Sequence, residues 1–183
     1  MLSRTQRLME NAPDMDAIII VNDGEPFLDS SFWYITEQAS GCFESSFAII
    51  RKDGSMDVIV NILEEETAHC GKGDVKVYHN RQELVDFFQQ GLKGCETIGF
   101  NTHSASYASV MAVKKFLDRD FKIVDASDAL AHTYAIKDAK EIEATRQACK
   151  ISSQVANELP DYLSEGIFLP ARFLDMFLSG TVS

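Results

Sequence analysis

Five consecutive apolar residues, Ala17-Ile18-Ile19-Ile20-Val21, stand directly before Asn22-Asp23-Gly24. Side chains of a strand alternate between its two faces, so a run without a polar member needs cover on both sides. The run therefore predicts a central strand with a layer of structure above it and another below. A chain built around such a strand is a layered α/β protein, in which the other segments supply neighbouring strands or covering helices.

The segments that follow fit this scheme. Phe47-Ala48-Ile49-Ile50-Arg51 and Met56-Asp57-Val58-Ile59-Val60 flank Lys52-Asp53-Gly54-Ser55, and the Asp-Gly pair predicts a tight β-hairpin. Short β-rich runs at 75–78, 97–100 and 121–125 predict three more strands. Helical patterns fall at 2–11, 63–69, 82–88, 104–117 and 127–132. The fourth of these is expected to be capped by Ser104 or Ser106 and to bury Tyr107, Val110, Met111 and Leu117. A hairpin followed by strand–helix units predicts a mixed sheet of five or six strands with helices on its faces. Residues 1–134 read as one such domain.

A different pattern starts at Ile136. Asp138 with Glu141 three residues on forms a capping box, and Ile142, Ala148, Cys149, Ile151, Val155 and Leu159 recur near the helical period as one buried stripe. A helix from Asp138 to Leu159 would be roughly 33 Å long at 1.5 Å per residue. Residues 135–166 read as a linker helix, and 167–183 as an apolar tail without assignment, with Pro160 and Pro170 interrupting any continuous helix.

Net charge narrows the function classes. Seventeen basic residues against 28 acidic ones leave −11 in a chain of 183, a surface that repels phosphate backbones and argues against a nucleic-acid partner. No apolar run reaches the ~18 residues of a membrane span, and no signal-peptide pattern follows Arg4 and Arg7, so a cytoplasmic protein is expected. Cys42, Cys70, Cys95 and Cys149 show no metal-ligand spacing and are expected to be free, mostly buried thiols.

Chemistry-bearing motifs are sparse. Glu66 and His69 share a helix face, yet a di-metal site needs a second such pair and further carboxylates. His79, His103 and His132 stand apart from one another; Ser104 and Ser106 beside His103 read as caps, and Gly71-Lys72-Gly73 is too short for a phosphate loop. The residues point to no metal site and no catalytic residue in this chain. Asp16, Asp57 and Asp125 could serve a nuclease with strand-borne carboxylates, an assignment the net charge opposes. The most informative cluster is Phe32-Trp33-Tyr34. Three aromatics on one strand cannot face the same side, so they either pack both faces of a sheet or form an aromatic wall lent to a neighbouring active site.

An ordered set of pieces resembles a known family. These are an Arg-containing first helix, the aromatic-Tyr34-Ile35-Thr36 segment, the 47–54 hairpin, Ile98-Gly99-Phe100, Val124-Asp125-Ala126-Ser127, and Ile136-Lys137-Asp138-Ala139-Lys140-Glu141-Ile142-Glu143 leading to Arg146 and Ala148. Together they are similar to the N-terminal domain of creatinase and the Xaa-Pro peptidases, aminopeptidase P and prolidase. The resemblance covers residues 1–166. It departs at Glu37-Gln38, where the family often carries Gly after Thr, so the aromatic loop is expected to run differently, and again in the apolar tail.

The resemblance implies a ribonuclease-H-like α/β domain that contributes oligomer contacts and walls the active site, with Phe32, Trp33 and Tyr34 on the substrate side. In the family, catalysis belongs to a C-terminal pita-bread domain, where carboxylates and a His hold two divalent metals such as Mn²⁺. None of those ligands is expected in this chain, which should bind no cofactor, be inactive alone and associate with itself. A stand-alone binding or scaffolding module that kept the fold without the chemistry is the alternative.

Overall fold

Ala17–Asn22 forms β1, and its six residues are all buried. Alternate side chains enter opposite cores. Ile18 and Ile20 join a cluster with Leu8, Phe32, Phe43 and Leu130, whereas Ala17, Ile19 and Val21 join one with Phe47, Phe88, Phe100 and Val113. Each fully buried isoleucine contributes about 1.5–3 kcal/mol of apolar transfer. The strand is central, as an uninterrupted apolar run requires.

The computed structural model describes residues 2–162. The elements around β1 are α1 (Arg4–Glu10), α2 (Ser30–Thr36), β2 (Ser46–Arg51), β3 (Met56–Asn61), a 3-10 turn (Ile62–Glu64) leading into α3 (Glu65–Ala68), and β4 (Asp74–Tyr78). Then come α4 (Arg81–Gly91), β5 (Thr97–Phe100), α5 (Tyr107–Leu117), β6 (Lys122–Asp125), α6 (Ser127–Ala135) and α7 (Ala139–Tyr162). The six strands form one sheet in the order β4-β3-β2-β1-β5-β6. Only the β1–β2 and β2–β3 pairs are antiparallel, so β2 runs against all the others. This is the mixed α/β sheet the sequence predicts. The hairpin forms as its Asp-Gly turn demands, with Phe47 opposite Ile59 and Gly54 at φ +82°.

Local capping sets the helix starts. Ser3 and Gln6 form a reciprocal box on α1, Asn80 accepts from the Glu83 amide on α4, and Ser106 accepts from the Ser109 amide on α5. Helix α5 thus begins after Ser106 and buries Ser109, Val113, Phe116 and Leu117. Tyr107, expected on the buried side, is 80% exposed, because it is the first residue after the Ser106 cap and lies off the face formed by Ser109, Val113, Phe116 and Leu117.

Two further expectations are overturned. Phe32-Trp33-Tyr34 lies on the helix α2 and not on an extended segment. The carboxylate of Asp29 caps that helix, and Phe32 and Ile35, three apart, both turn into the core. The cysteines are free but not mostly buried: Cys42, Cys70 and Cys149 are exposed on a loop, a helix end and a helix surface, and only Cys95 is half-buried.

The first compact unit ends at Ala135 and a second begins at Ile136. Helix α7 opens with the expected capping box. Asp138 N–H donates to Glu141 Oε2 at 2.6 Å, and Glu141 N–H donates back to Asp138 Oδ1 at 2.9 Å. Its apolar stripe is not buried as expected: Ile142 and Ile151 are 41% and 55% exposed. The described part of this unit is the single helix and its lead-in, with no second layer of its own to cover a stripe. The apolar tail at 167–183 lies outside the described residues.

Candidate functional site

Strands β1, β5 and β6 run parallel, and at or just beyond their carboxyl ends stand Asn22, Asn101, Asp125 and Ser127. In open α/β sheets this edge is where ligand sites tend to form. Here it holds a buried polar network centred on Asp29, which is 1% exposed. Asp29 Oδ1 accepts from the Ser31 amide at 2.9 Å, and its Oδ2 accepts from Asn101 Nδ2 at 2.7 Å. Its own amide donates to Asn22 Oδ1 at 2.9 Å, while Asn22 Nδ2 donates to the Phe43 carbonyl at 2.8 Å. Ser127 Oγ lies 3.1 Å from Asn101 Oδ1 and 2.6 Å from Asp125 Oδ1, so the chain of contacts continues to α6. Every polar atom of Asp29 is engaged within the protein. The network is a brace that ties the start of α2 and the loop at 42–43 to the sheet.

What the brace holds in place is the aromatic cluster. The three side chains of Phe32-Trp33-Tyr34 diverge. Phe32 is fully buried, with its ring 5.2 Å from that of Phe43. Tyr34 turns toward α1 and α6. Its ring carries the Arg4 guanidinium at 4.3 Å and meets Tyr134 edge-on at 5.8 Å, and its hydroxyl accepts from Arg7 Nη2 at 3.2 Å. Trp33 stays half-buried, edge-on to Phe32 at 5.8 Å and to Phe43 at 6.4 Å, with its Nε1–H donating to the Gly41 carbonyl at 3.1 Å. A continuous three-ring wall is not what the helix presents. Trp33 and Tyr34 are both partly open to solvent, Tyr34 on the side of α1 and α6 and Trp33 on a rigid aromatic base.

The loop beside Trp33 is under backbone strain. Glu37, Phe43 and Ser45 have φ of 53°, 51° and 55°, a left-handed region that L side chains enter at a cost of about 1–2 kcal/mol each. Glu37 is the C-cap of α2 and takes this conformation where the resemblance predicts glycine. Gly41 sits at φ +102°, and a Cβ there would lie 2.6 Å from Phe43 Cε2. Strain of this kind persists only where the surroundings over-determine it, and it concentrates at functional surfaces.

The three carboxylates weighed for nuclease chemistry do not meet. Asp16 precedes β1 and Asp57 lies near the start of β3, whereas Asp125 ends β6, at the opposite edge of a sheet in which these strands are parallel. Asp16 Oδ2 accepts from the Thr97 and Glu96 amides, both at 2.9 Å, and these bonds hold its carboxyl below the ordinary range. The Ser127 hydroxyl does the same for Asp125, with help from the Ser127 amide. Asp57 pairs with Arg51. Glu66 and His69 are exposed at either side of the last turn of α3, and His79 pairs with Glu83 at 3.1 Å. Among the described residues no group of three or more His, Cys, Asp or Glu side chains is placed to hold a metal ion. A dinuclear metal centre does not fit the residues described.

One cleft of about 220 Å³ opens between Arg4, Ile35, Glu37, Met56 and Lys72, and none of the three aromatics lines it. Of the network residues, Asn22, Asp29 and Asn101 escape a reading of the sequence. The available signal is faint: Asn22 closes β1 and Asn101 directly follows β5, while Asp29 precedes Ser30-Ser31 as a cap would.

Comparison with known proteins identifies the fold. The model of the creatinase/prolidase N-terminal domain matches residues 1–133. No curated protein sequence matches the chain. Among solved structures, the prolidase of Pyrococcus horikoshii is similar at 21% identity and a TM-score of 0.68, over 90% of this chain and 44% of the enzyme. The X-Pro aminopeptidase of Thermotoga maritima is similar at 19% identity and a TM-score of 0.72, over 87% of this chain and 44% of the enzyme. The N-terminal domain of the cytoplasmic peptidase PepQ from Mycobacterium tuberculosis is similar at 16% identity and a TM-score of 0.55, over 71% of this chain and 97% of that domain. The chain thus spans less than half the length of the two whole enzymes. With a six-stranded sheet of this order and a family match over residues 1–133, the chain belongs to the creatinase/prolidase N-terminal domain family.

Proposed function

We propose that this chain serves as the non-catalytic N-terminal domain of a cytoplasmic Xaa-Pro metallopeptidase, with two roles. It builds contacts between copies, and it presents Trp33 as one wall of an active site whose metals and catalytic groups lie on another domain. The observation that carries this reading is the pattern of coverage: the chain is matched over 90% of its length by a prolidase of which it spans 44%. The two divalent metals of such an enzyme would supply activated water. No step of that chemistry is assigned to a residue of this chain.

Trp33 supports the walling role on physical grounds. A half-buried indole fixed by one hydrogen bond and two edge-on rings offers a large apolar face with little side-chain entropy left to lose. The strained loop at 37–45 keeps it there.

The test is direct. The purified chain is assayed on Xaa-Pro peptides with added Mn²⁺, and its mass in solution is measured by light scattering. No turnover together with a dimer or larger species is expected. Metal-dependent cleavage that co-purifies with the chain through successive columns would overturn the non-catalytic reading, and a monomer at all concentrations would overturn the assembly role.

A further inference from the structure

Among the described residues, strand β4 closes one end of the sheet and pairs with β3 only. Which of its backbone groups face outward follows from the register. In the hairpin, Arg51 N–H donates to the Ser55 carbonyl, so the alternate pairs Ile49–Asp57 and Phe47–Ile59 also bond each other. Met56, Val58 and Val60 therefore turn their backbone groups toward β4. Opposite Asp57, Ile59 and Asn61 stand Asp74, Lys76 and Tyr78, and these are the β4 residues that bond back to β3. The N–H and C=O groups of Val75 and Val77 remain on the open side.

We infer that β4 pairs antiparallel with β4 of a second copy across a two-fold axis, with Val75 opposite the partner's Val75. Two six-stranded sheets then become one continuous sheet. An edge strand is a template for such pairing unless its side chains prevent it. Here the side chains favour it. Asp74 and Lys76, which pair with each other along the strand at 2.5 Å, are 68% and 35% exposed and alternate in sign along one face. Residues paired across a new antiparallel ladder must both present their backbone outward, which limits the centred registers to three. Centring on Val75 sets Asp74 against the partner's Lys76 and Lys76 against the partner's Asp74, two symmetric pairs of opposite charge. Pairing Val75 with the partner's Val77 sets Lys76 against the partner's Lys76. Centring on Val77 sets Lys76 against the partner's Tyr78 and leaves Asp74 unopposed. Edge charges of a single sign would repel a second copy; these are self-complementary in one register.

This deepens the assembly role proposed above and rests on it. The test uses the full chain in sedimentation equilibrium, with circular dichroism as the control for folding. Asp74→Lys places two cations on the edge and Lys76→Asp places two anions. Each single variant should dimerise at least about tenfold more weakly than the native chain. The double variant D74K/K76D, and a one-to-one mixture of the two single variants, should dimerise like the native chain, because both restore opposite charges across the axis. A native dimer whose affinity ignores all these changes would leave the assembly role standing and overturn the β4 interface. So would single variants that stay folded, dissociate and are not rescued in the mixture. A native monomer would overturn both.

Discussion

Replacing Asp29 removes the centre of the brace behind Trp33. In Asp29→Ala two interactions go. The cap on the Ser31 amide contributes about 1 kcal/mol. The 2.7 Å bond from Asn101 Nδ2 is buried and runs to a carboxylate, so its loss costs about 1.5–3 kcal/mol and strands a donor in the core. A total near 3 kcal/mol is expected in urea unfolding, or roughly 6–12 °C in Tm for a chain of this size. Asp29→Asn should cost only about 1 kcal/mol. Its Oδ1 can still cap α2, and its new Nδ2–H can be met if the Asn101 amide turns over, since Ser127 Oγ is then able to accept from Asn101. A loss below about 1 kcal/mol for the Ala variant would refute the brace. Equal losses for Ala and Asn would refute the amide turnover.

Two other outcomes follow from the same region and from the sheet's opposite edge. Gly41→Ala forces a Cβ within 2.6 Å of Phe43 Cε2 and 2.9 Å of Thr67 Cγ2 at a φ of +102°, so it should destabilise by about 1–3 kcal/mol. Trp33 is the chain's single tryptophan, and its emission should shift to the red as its base loosens; unchanged emission would show that Phe43 does not support it. Asp16 has its carboxyl held below the ordinary 3.8 by the Thr97 and Glu96 amides, so its contribution to stability is present above that value and is lost as pH falls below it. Asp16→Asn keeps an acceptor for the amides but cannot titrate, so stability measured from pH 5 to pH 2 should fall less steeply than in the native chain. An unchanged slope would remove Asp16 from the acid response.

What could be read from the chain and what could not divide along the range of the interactions. The Asp53-Gly54 turn and the Asp138–Glu141 box each act within four residues, so the hairpin and the start of α7 are legible in their own segments, while the start of α5 is narrowed only to Ser104 or Ser106. Helix α2 misleads because aromatics favour strands and seven residues are too few for the 3.6-residue period to show. Its helicity depends on Asp29 at one end and on the burial of Phe32 and Ile35 against β1 and β2. Burial of the cysteines and of the α7 stripe depends on what lies above them in space, which neighbouring residues do not record.

The apolar run of β1 by itself determined a two-sided, layered sheet, because a strand with no polar face has no other stable surroundings. The Asp53-Gly54 turn likewise determined that β2 and β3 pair as a hairpin, whereas the choice of β2 and β5 as the strands flanking β1 was left to the packing. Only the tertiary structure decided that Asn22, Asp29, Asn101 and Ser127 meet, through bonds that span 7 to 72 positions, at the carboxyl ends of parallel strands. The physical reason is that a buried polar group is satisfied by whatever partner the packing brings to it, and that partner leaves no periodic mark in the sequence.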